Sequence, residues 1–104
     1  MIRVKLEIWM PLGKELVKDF HAVSEMCSFR EEEIEDGITI RNFFDSLAKS
    51  YQPIREKIFE RGKNSFYPEV IVTLNDRIVS PHELYNRVLK DRDKIAVLPM
   101  FMGG

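Results

Sequence analysis

The chain has 104 residues, of which 44% are hydrophobic and 32% charged, the size and mixture of a single folded domain. Its 16 basic and 17 acidic residues nearly cancel, so charge gives no reason to expect binding to nucleic acid or to an anionic membrane. A single cysteine excludes an internal disulfide and a multi-cysteine metal site, and no apolar stretch approaches the roughly 20 residues of a spanning helix. We therefore expect one cytoplasmic domain over residues 1–104, without a bound metal.

The first 37 residues of the chain predict two strands. Apolar and charged residues alternate from the N-terminus, as in a half-buried strand, and Pro11 ends this pattern because it lacks a backbone donor. Residues 12–27 predict a connection with one helical turn, and the acidic stretch 29–35 predicts an exposed edge strand that ends at Asp36-Gly37. The apolar positions of the first strand are Ile2, Val4, Leu6 and Ile8, with Trp9 and Met10 extending it.

The main helix is the clearest periodic feature. Thr39 is a good N-cap, since its hydroxyl can accept a hydrogen bond from the first turn. The apolar residues that follow are spaced as one helical stripe, which predicts a helix over 39–51 with this stripe against the sheet. Pro53 suits the start of a second short helix, with Gly62 as its C-terminal cap. The stripe consists of Ile40, Phe43, Phe44, Leu47 and Tyr51.

The last third of the chain predicts three more strands. The β-branched stretch 70–74 is typical of a central strand, and Asn75-Asp76 can turn the chain back into residues 77–79. A connection from Ser80 follows, with Leu84, Val88 and Leu89 as its buried anchors. A polar turn at 91–94 leads into the last strand, 95–98. This order predicts an α+β fold with the first and last strands parallel and the helix across one face.

The sequence lacks the common motifs of enzyme active sites. It has no glycine-rich phosphate loop, no metal-binding histidine pair and no nucleophile elbow. His21 and His82 lack motif context, and Cys27 has no neighbour in sequence that would stabilise a thiolate. The acidic run 31–33 is interpreted as a solvated strand face, with partner docking as the alternative.

The C-terminus offers one reactive group. The chain stops at Gly103-Gly104 after a strand and an apolar tail, and two glycines form a thin arm that can enter a channel too narrow for a Cβ. We expect the tail, about 100–104, to be flexible. Its terminal carboxylate becomes an acyl donor once it is adenylated, after which sulfide or an amine can displace AMP.

Several segments together resemble the MoaD/ThiS-type sulfur carriers. The stretch 89–99 followed by Gly103-Gly104 is similar to the end of those proteins, and 12–16, 37–47 and 72–76 resemble their earlier segments in the same order. Asp76 and Arg92 stand where this family has turn glycines, and Met100-Phe101-Met102 replaces a smaller tail.

This resemblance implies a ubiquitin-like β-grasp fold and a carrier or non-catalytic small subunit rather than a stand-alone enzyme. By the same resemblance, Gly104 is the residue that is adenylated and converted to a thiocarboxylate, and Gly103 is its slender lead-in. Met100, Phe101 and Met102 are then apolar docking residues, or they merely finish the last strand. No cofactor is expected to bind, because ATP is used by the activating partner.

The partners implied are a MoeB/ThiF-like adenylating enzyme and a large, MoaE-like synthase subunit or another sulfur acceptor. The length of the chain favours the molybdopterin synthase small subunit, in molybdenum or tungsten cofactor synthesis, or the Urm-like carriers. The alternatives are a carrier for thiamin or tRNA thiolation, a modifier joined to lysines of target proteins, and a β-grasp binding module whose diglycine is incidental.

Overall fold

The structure, a computed structural model, describes residues 1–9, 20–24, 27–59 and 70–99. These residues form strands β1 (Ile2–Ile8), β2 (His21–Ser24), β3 (Cys27–Ile34), β4 (Val70–Leu74), β5 (Arg77–Ile78) and β6 (Lys94–Pro99), and helices α1 (Ile40–Ser50), α2 (Gln52–Ile58) and α3 (Pro81–Asn86). The strands make one sheet in the order β2-β3-β1-β6-β4-β5.

Strands β1 and β6 lie side by side in the middle of this sheet. They pair in parallel, with Leu6 opposite Ile95 and Ile8 opposite Val97. β3 pairs antiparallel with the other side of β1, and β4 pairs antiparallel with the other side of β6. The predicted α+β architecture, with the first and last strands adjacent and parallel, is confirmed.

Helix α1 covers one face of the sheet with the stripe read from the sequence. The Asn42 N–H donates to the Thr39 hydroxyl at 3.1 Å, so Thr39 is the N-cap, as predicted. Ile40 and Phe44 are fully buried because the helical period places them on the side that faces β1 and β6. Tyr51, the last predicted stripe residue, is the half-buried C-cap of the helix.

The prediction of an edge strand at 29–35 is confirmed for most of its length. β2 pairs with the outer side of β3 at Cys27, Ser28 and Phe29, and within the described residues no strand pairs with the outer side of 30–34. β2 has four residues, all exposed, so its sequence carries no alternation of buried and exposed positions from which a strand could be predicted. The connection predicted for 12–27 therefore contains a strand, and it also contains Phe20, which is buried in the core.

Two details of the predicted helical segments are also wrong. α2 begins near Pro53 as expected, but it ends at Ile58 with Phe59 as its C-cap, so Gly62, which lies outside the described residues, does not cap it. The connection after Ser80 is helix α3, whose start is fixed by a reciprocal capping box between Ser80 and Glu83. That pattern of Ser and Glu three residues apart is a helix-start motif that the sequence analysis overlooked.

The anchors predicted for the segment after Ser80 are only partly correct. Leu89 is buried and Leu84 packs against the core while partly exposed. Val88 is 42% exposed, because its backbone forms a bridge to Thr39 and its neighbour Leu89 occupies the inward position. The turn at 75–76 is confirmed, with Asn75 and Asp76 both at positive φ.

We predict that Phe44→Ala lowers the free energy of unfolding by about 3–5 kcal/mol, because it leaves a large cavity in a site from which solvent is excluded. Urea denaturation monitored by circular dichroism measures this loss. The control is Ile78→Ala, whose side chain is 72% exposed and whose replacement should change stability by about 0.5 kcal/mol or less. Equal effects of the two substitutions would contradict the assignment of the stripe.

We predict that Arg92→Gly stabilises the protein by about 0.5–1 kcal/mol, because glycine adopts the left-handed backbone without strain. Glycine also raises the conformational entropy of the unfolded chain, which offsets only part of this gain. Arg92 has φ +70° and a side chain that is 93% exposed, so little contact is lost. Thermal unfolding measures the gain. The matched control is Lys90→Gly, at an exposed position without positive φ, which should destabilise; a loss of stability in both variants would refute the strain argument.

Candidate functional site

The predicted site residues, Met100 to Gly104, lie outside the described residues. The structure does describe the strand that carries them, since β6 ends at Pro99. The geometry of the site is therefore defined by how β6 is held and by what surrounds its end.

The start of β6 is held by a polar clip, formed by Asn75, Asp91 and Asp93. The Asp93 carboxylate accepts from the Asn75 amide at 3.0 Å and from the Lys90 N–H at 2.8 Å. Asn75 Oδ1 in turn accepts from the Lys94 N–H at 2.9 Å. The clip thus ties the β4–β5 turn to the first residue of β6.

The same clip reaches β1. Asp91 Oδ1 accepts from the Arg3 N–H at 2.8 Å, and the Lys5 N–H donates to the Asp93 carbonyl at 2.9 Å. The Lys94 ammonium also contacts Asp76 at 2.8 Å, and this hydrogen bond raises the pKa of Lys94 against a smaller, opposing desolvation. Three chain segments are therefore fixed where β6 begins.

The end of β6 is held by its neighbours in the sheet. The Trp9 N–H donates to the Val97 carbonyl at 2.9 Å, while Leu98 pairs with Ile71 and Pro99 with Val70. Val97 is fully buried. A chain that continues from Pro99 therefore starts from a strand anchored on both sides.

A connected group of side chains lies beside this end, on the face of the sheet opposite α1. The Trp9 indole N–H donates to Glu7 at 3.2 Å, and Glu7 contacts the Lys5 ammonium at 3.6 Å. Lys5 lies 4.6 Å above the centre of the Phe29 ring, a cation–π arrangement. Leu98 lies on the same face, because it alternates with the buried Val97. We call Trp9, Phe29 and Leu98, with the pair Lys5–Glu7, the Trp9 patch.

The sequence contained a signal for this patch that the analysis did not use. Trp9 follows Lys5 and Glu7 in the polar phase of the β1 alternation, so it points away from the core. Its side chain is 40% exposed. A large aromatic residue in the solvent-facing phase of a strand indicates a binding surface only where other apolar side chains lie beside it.

The remaining candidates are not brought together. His21 stacks on Phe29 at 5.1 Å between ring centres, whereas His82 lies on α3 beside Asn86. Cys27 is buried, and that burial raises the pKa of its thiol, with Glu7 adding to the shift and Lys5 opposing it. A neutral buried thiol is a poor nucleophile, in keeping with the lack of a thiolate-stabilising neighbour in the sequence.

Within the ranges that the structure describes, no three His, Cys, Asp or Glu side chains are placed to hold a metal ion. In the same ranges, none of the helices has the length and apolar content that crossing a membrane requires.

The mixed sheet, the helix across one face and the central parallel pair define a ubiquitin-like β-grasp protein, the fold expected from the sequence. The model of the ThiS family matches residues 20–104. The chain therefore belongs to the ThiS family, the ubiquitin-like sulfur carriers whose motifs it resembles. Sequence comparison with curated proteins gives no significant match.

Solved structures with this fold cover nearly the whole chain. The H. volcanii small archaeal modifier protein 1 has a TM-score of 0.64 at 14% identity, over 95% of this chain and 98% of that one. The Haloferax volcanii HVO 2177 protein also has 0.64, at 21% identity over 99% and 87%. A putative molybdopterin converting factor, subunit 1, from Pyrococcus furiosus has 0.58 at 23% identity, over 95% and 98%. At these identities the matches show the shared fold.

We predict that Cys27 reacts slowly with iodoacetamide in the folded protein and that its rate rises with pH around a midpoint above the usual value of about 8.5. The raised pKa means that the folded state holds this proton more tightly than the unfolded state. Its contribution to stability is therefore present below the ordinary thiol pKa and is lost as pH rises through the raised one. Mass spectrometry of quenched samples gives the rates, and the urea-unfolded chain is the control. A midpoint below the unfolded value would contradict this.

Proposed function

We propose that this protein is a sulfur carrier whose Gly104 carboxylate is adenylated and converted to a thiocarboxylate. The observation that carries the proposal is the match to the ThiS family over residues 20–104, which includes the terminal Gly103-Gly104. The structure supports it in one respect: the strand that leads to this terminus is anchored along β1 and β4. An anchored strand followed by two glycines without side chains suits a carboxylate that must be positioned in another protein's active site.

The chemistry needs only the terminal carboxylate on this chain. Its oxygen attacks the α-phosphorus of ATP, and pyrophosphate leaves to give an acyl adenylate. Sulfide then attacks the acyl carbon, the C–O bond to AMP breaks, and AMP leaves with its electron pair. The product is a thiocarboxylate on Gly104, whose sulfur is available to an acceptor. ATP and sulfide are supplied with the activating partner, so this chain needs no cofactor of its own.

Two partners follow from this proposal. One is an adenylating enzyme of the MoeB/ThiF type, which must take in Gly103-Gly104. The other is the sulfur acceptor, for which we propose a large, MoaE-like synthase subunit in molybdopterin synthesis, supported by the fold shared with the putative molybdopterin converting factor subunit of Pyrococcus furiosus. Met100, Phe101 and Met102 would then be docking residues on the tail.

A second function is supported by the other fold match. The small archaeal modifier protein 1 of H. volcanii shares this fold, and a modifier would use the same adenylate but join Gly104 to lysine amines. Mass analysis of the cellular pool distinguishes the two. Replacement of one oxygen by sulfur in the free chain indicates a carrier, whereas conjugates of higher mass indicate a modifier.

We predict that deleting Gly104, or extending the chain beyond it, abolishes the gain of sulfur and leaves the fold intact. An extension replaces the carboxylate with an unreactive amide, and deletion withdraws it by about 3.3–3.6 Å, while a misplacement of about 1 Å can already cost on the order of a hundredfold in rate. The measurement is intact mass after incubation with the adenylating enzyme of the same organism, ATP and sulfide.

The controls for this test are Cys27→Ser and His82→Ala, which should gain sulfur as the wild type does. Circular dichroism checks that every variant is folded. A shortened chain that still gains sulfur, or a block by Cys27→Ser, would overturn the proposed mechanism.

A further inference from the structure

We propose that Asp36-Gly37, in the turn between β3 and α1, is a site of spontaneous modification at which Asp36 converts to isoaspartate through a cyclic succinimide. The reacting groups are the Asp36 carboxyl and the backbone nitrogen of Gly37, and no partner or cofactor takes part. The inference goes beyond the proposed function and is independent of it, because it involves neither Gly104 nor the tail.

The residue that follows Asp36 favours ring closure. The backbone nitrogen of that residue must reach the aspartate side chain, and a side chain of its own hinders the approach. Glycine has no side chain and adopts backbone angles that other residues avoid. Gly37 is the only glycine of the chain that directly follows an aspartate or asparagine.

The turn leaves both reacting groups open to solvent. The Asp36 side chain is 74% exposed and lies 4.0 Å from the Met1 amine, an ion pair that restrains it little at such exposure. Gly37 is exposed, with φ +86° and no atom from elsewhere in the chain within 4 Å of the position that a Cβ would occupy. Among the described residues, none accepts a hydrogen bond from the Gly37 N–H. The nitrogen can therefore turn toward the carboxyl without breaking such a bond or displacing a packed neighbour.

The other described aspartates are held in place and precede residues with side chains. Asp45 lies within helix α1, and its carboxylate accepts from Arg41 at 3.1 Å. The Asp93 carboxylate accepts from Asn75 at 3.0 Å and from the Lys90 N–H at 2.8 Å. Asp36 thus differs from them in both respects. The residues that follow Asp45, Asp76, Asp91 and Asp93 are Ser46, Arg77, Arg92 and Lys94.

The reaction needs only water as co-reactant. The Gly37 nitrogen attacks Cγ of Asp36, and a bond between nitrogen and Cγ forms. One carboxyl oxygen leaves as water, with the amide proton and the carboxyl proton, the latter supplied by solvent when the group is ionised. Water then adds to either carbonyl carbon of the ring, and the bond from that carbon to nitrogen breaks. Attack at Cγ restores aspartate, whereas attack at the other carbon leaves isoaspartate, with the main chain running through Cγ.

Isoaspartate adds one carbon to the main chain of a turn whose far side is fixed. The Leu89 N–H donates to the Ile38 carbonyl at 2.9 Å, and the Ile40 N–H donates to the Arg87 carbonyl at 3.1 Å. A longer turn beside these two bonds no longer fits the spacing that they set. We expect the isoaspartyl form, separated by ion exchange, to unfold at a lower temperature than the unmodified protein.

The test incubates the folded wild-type protein at neutral pH in water labelled with heavy oxygen. Each passage through the succinimide exchanges one carboxyl oxygen with solvent, so digestion and mass spectrometry locate the reacting residue. We expect label to enter residue 36 at least about tenfold faster than Asp45 or Asp93, since rigidly held backbone rarely opens. The peptide that contains residue 36 should also separate into two chromatographic peaks of equal mass.

Asp36→Glu is the matched variant, because it keeps the charge but would have to close a larger and less favourable ring. Label at residue 36 should then fall to the level of Asp45, and thermal unfolding shows that the variant is folded. Glu35, an exposed carboxylate in the same turn, is the internal control and should stay unlabelled.

Three results would overturn the proposal: equal labelling of Asp36 and Asp45, labelling at residue 36 that persists in Asp36→Glu, or labelling of Asp36 only in the urea-unfolded chain. The last would mean that the folded turn protects the site. None of these results depends on the gain of sulfur at Gly104, so the failure of this inference leaves the carrier function standing, and the reverse also holds.

Discussion

The parallel pairing of β1 with β6 is the constraint on which the rest of the structure depends. It brings the two ends of the described sequence together in the middle of the sheet, which requires closing a long loop at an entropic cost. The buried apolar faces of both strands compensate, because Leu6, Ile8, Ile95 and Val97 lie under α1 with almost no exposure. Hydrogen bonds from Lys5 to Asp93 and from Trp9 to Val97 close the pair at its two ends.

The two faces of the sheet that this pairing builds differ in composition. The face toward α1 packs against the apolar core. The polar residues of the clip and of the Trp9 patch do not lie in that core. The opposite face carries the ion pairs between Arg3 and Glu31 or Glu33, which add little to stability at such exposure. It also carries the Trp9 patch at the end where β6 leaves the sheet. The apolar core and the exposed Trp9 patch thus lie on opposite sides of one layer.

Part of the candidate site can be predicted from the sequence, and part cannot. Gly103-Gly104 is predictable, because thinness and a terminal carboxylate are properties of the chain alone. The Trp9 patch was not predicted as a site, since it joins β1, β3 and β6, which are distant in sequence. The polar clip is similar: Asn75 and Asp93 each look like turn residues, and only their 3.0 Å contact shows that one turn fixes another.

The sequence by itself determined helix α1, strand β1 and the last strand, because their periodicities of 3.6 and 2 are local and strong. Only the tertiary structure decided that β2 is a strand paired with the first three residues of β3, because the exposed residues of β2 have no pattern of their own. Asp76 and Arg92 both take the left-handed backbone usual for glycine. Aspartate tolerates this conformation, so the turn at Asp76 was predictable, whereas arginine has no such preference and is held there by the hydrogen bond from its N–H to the Arg3 carbonyl at 2.7 Å.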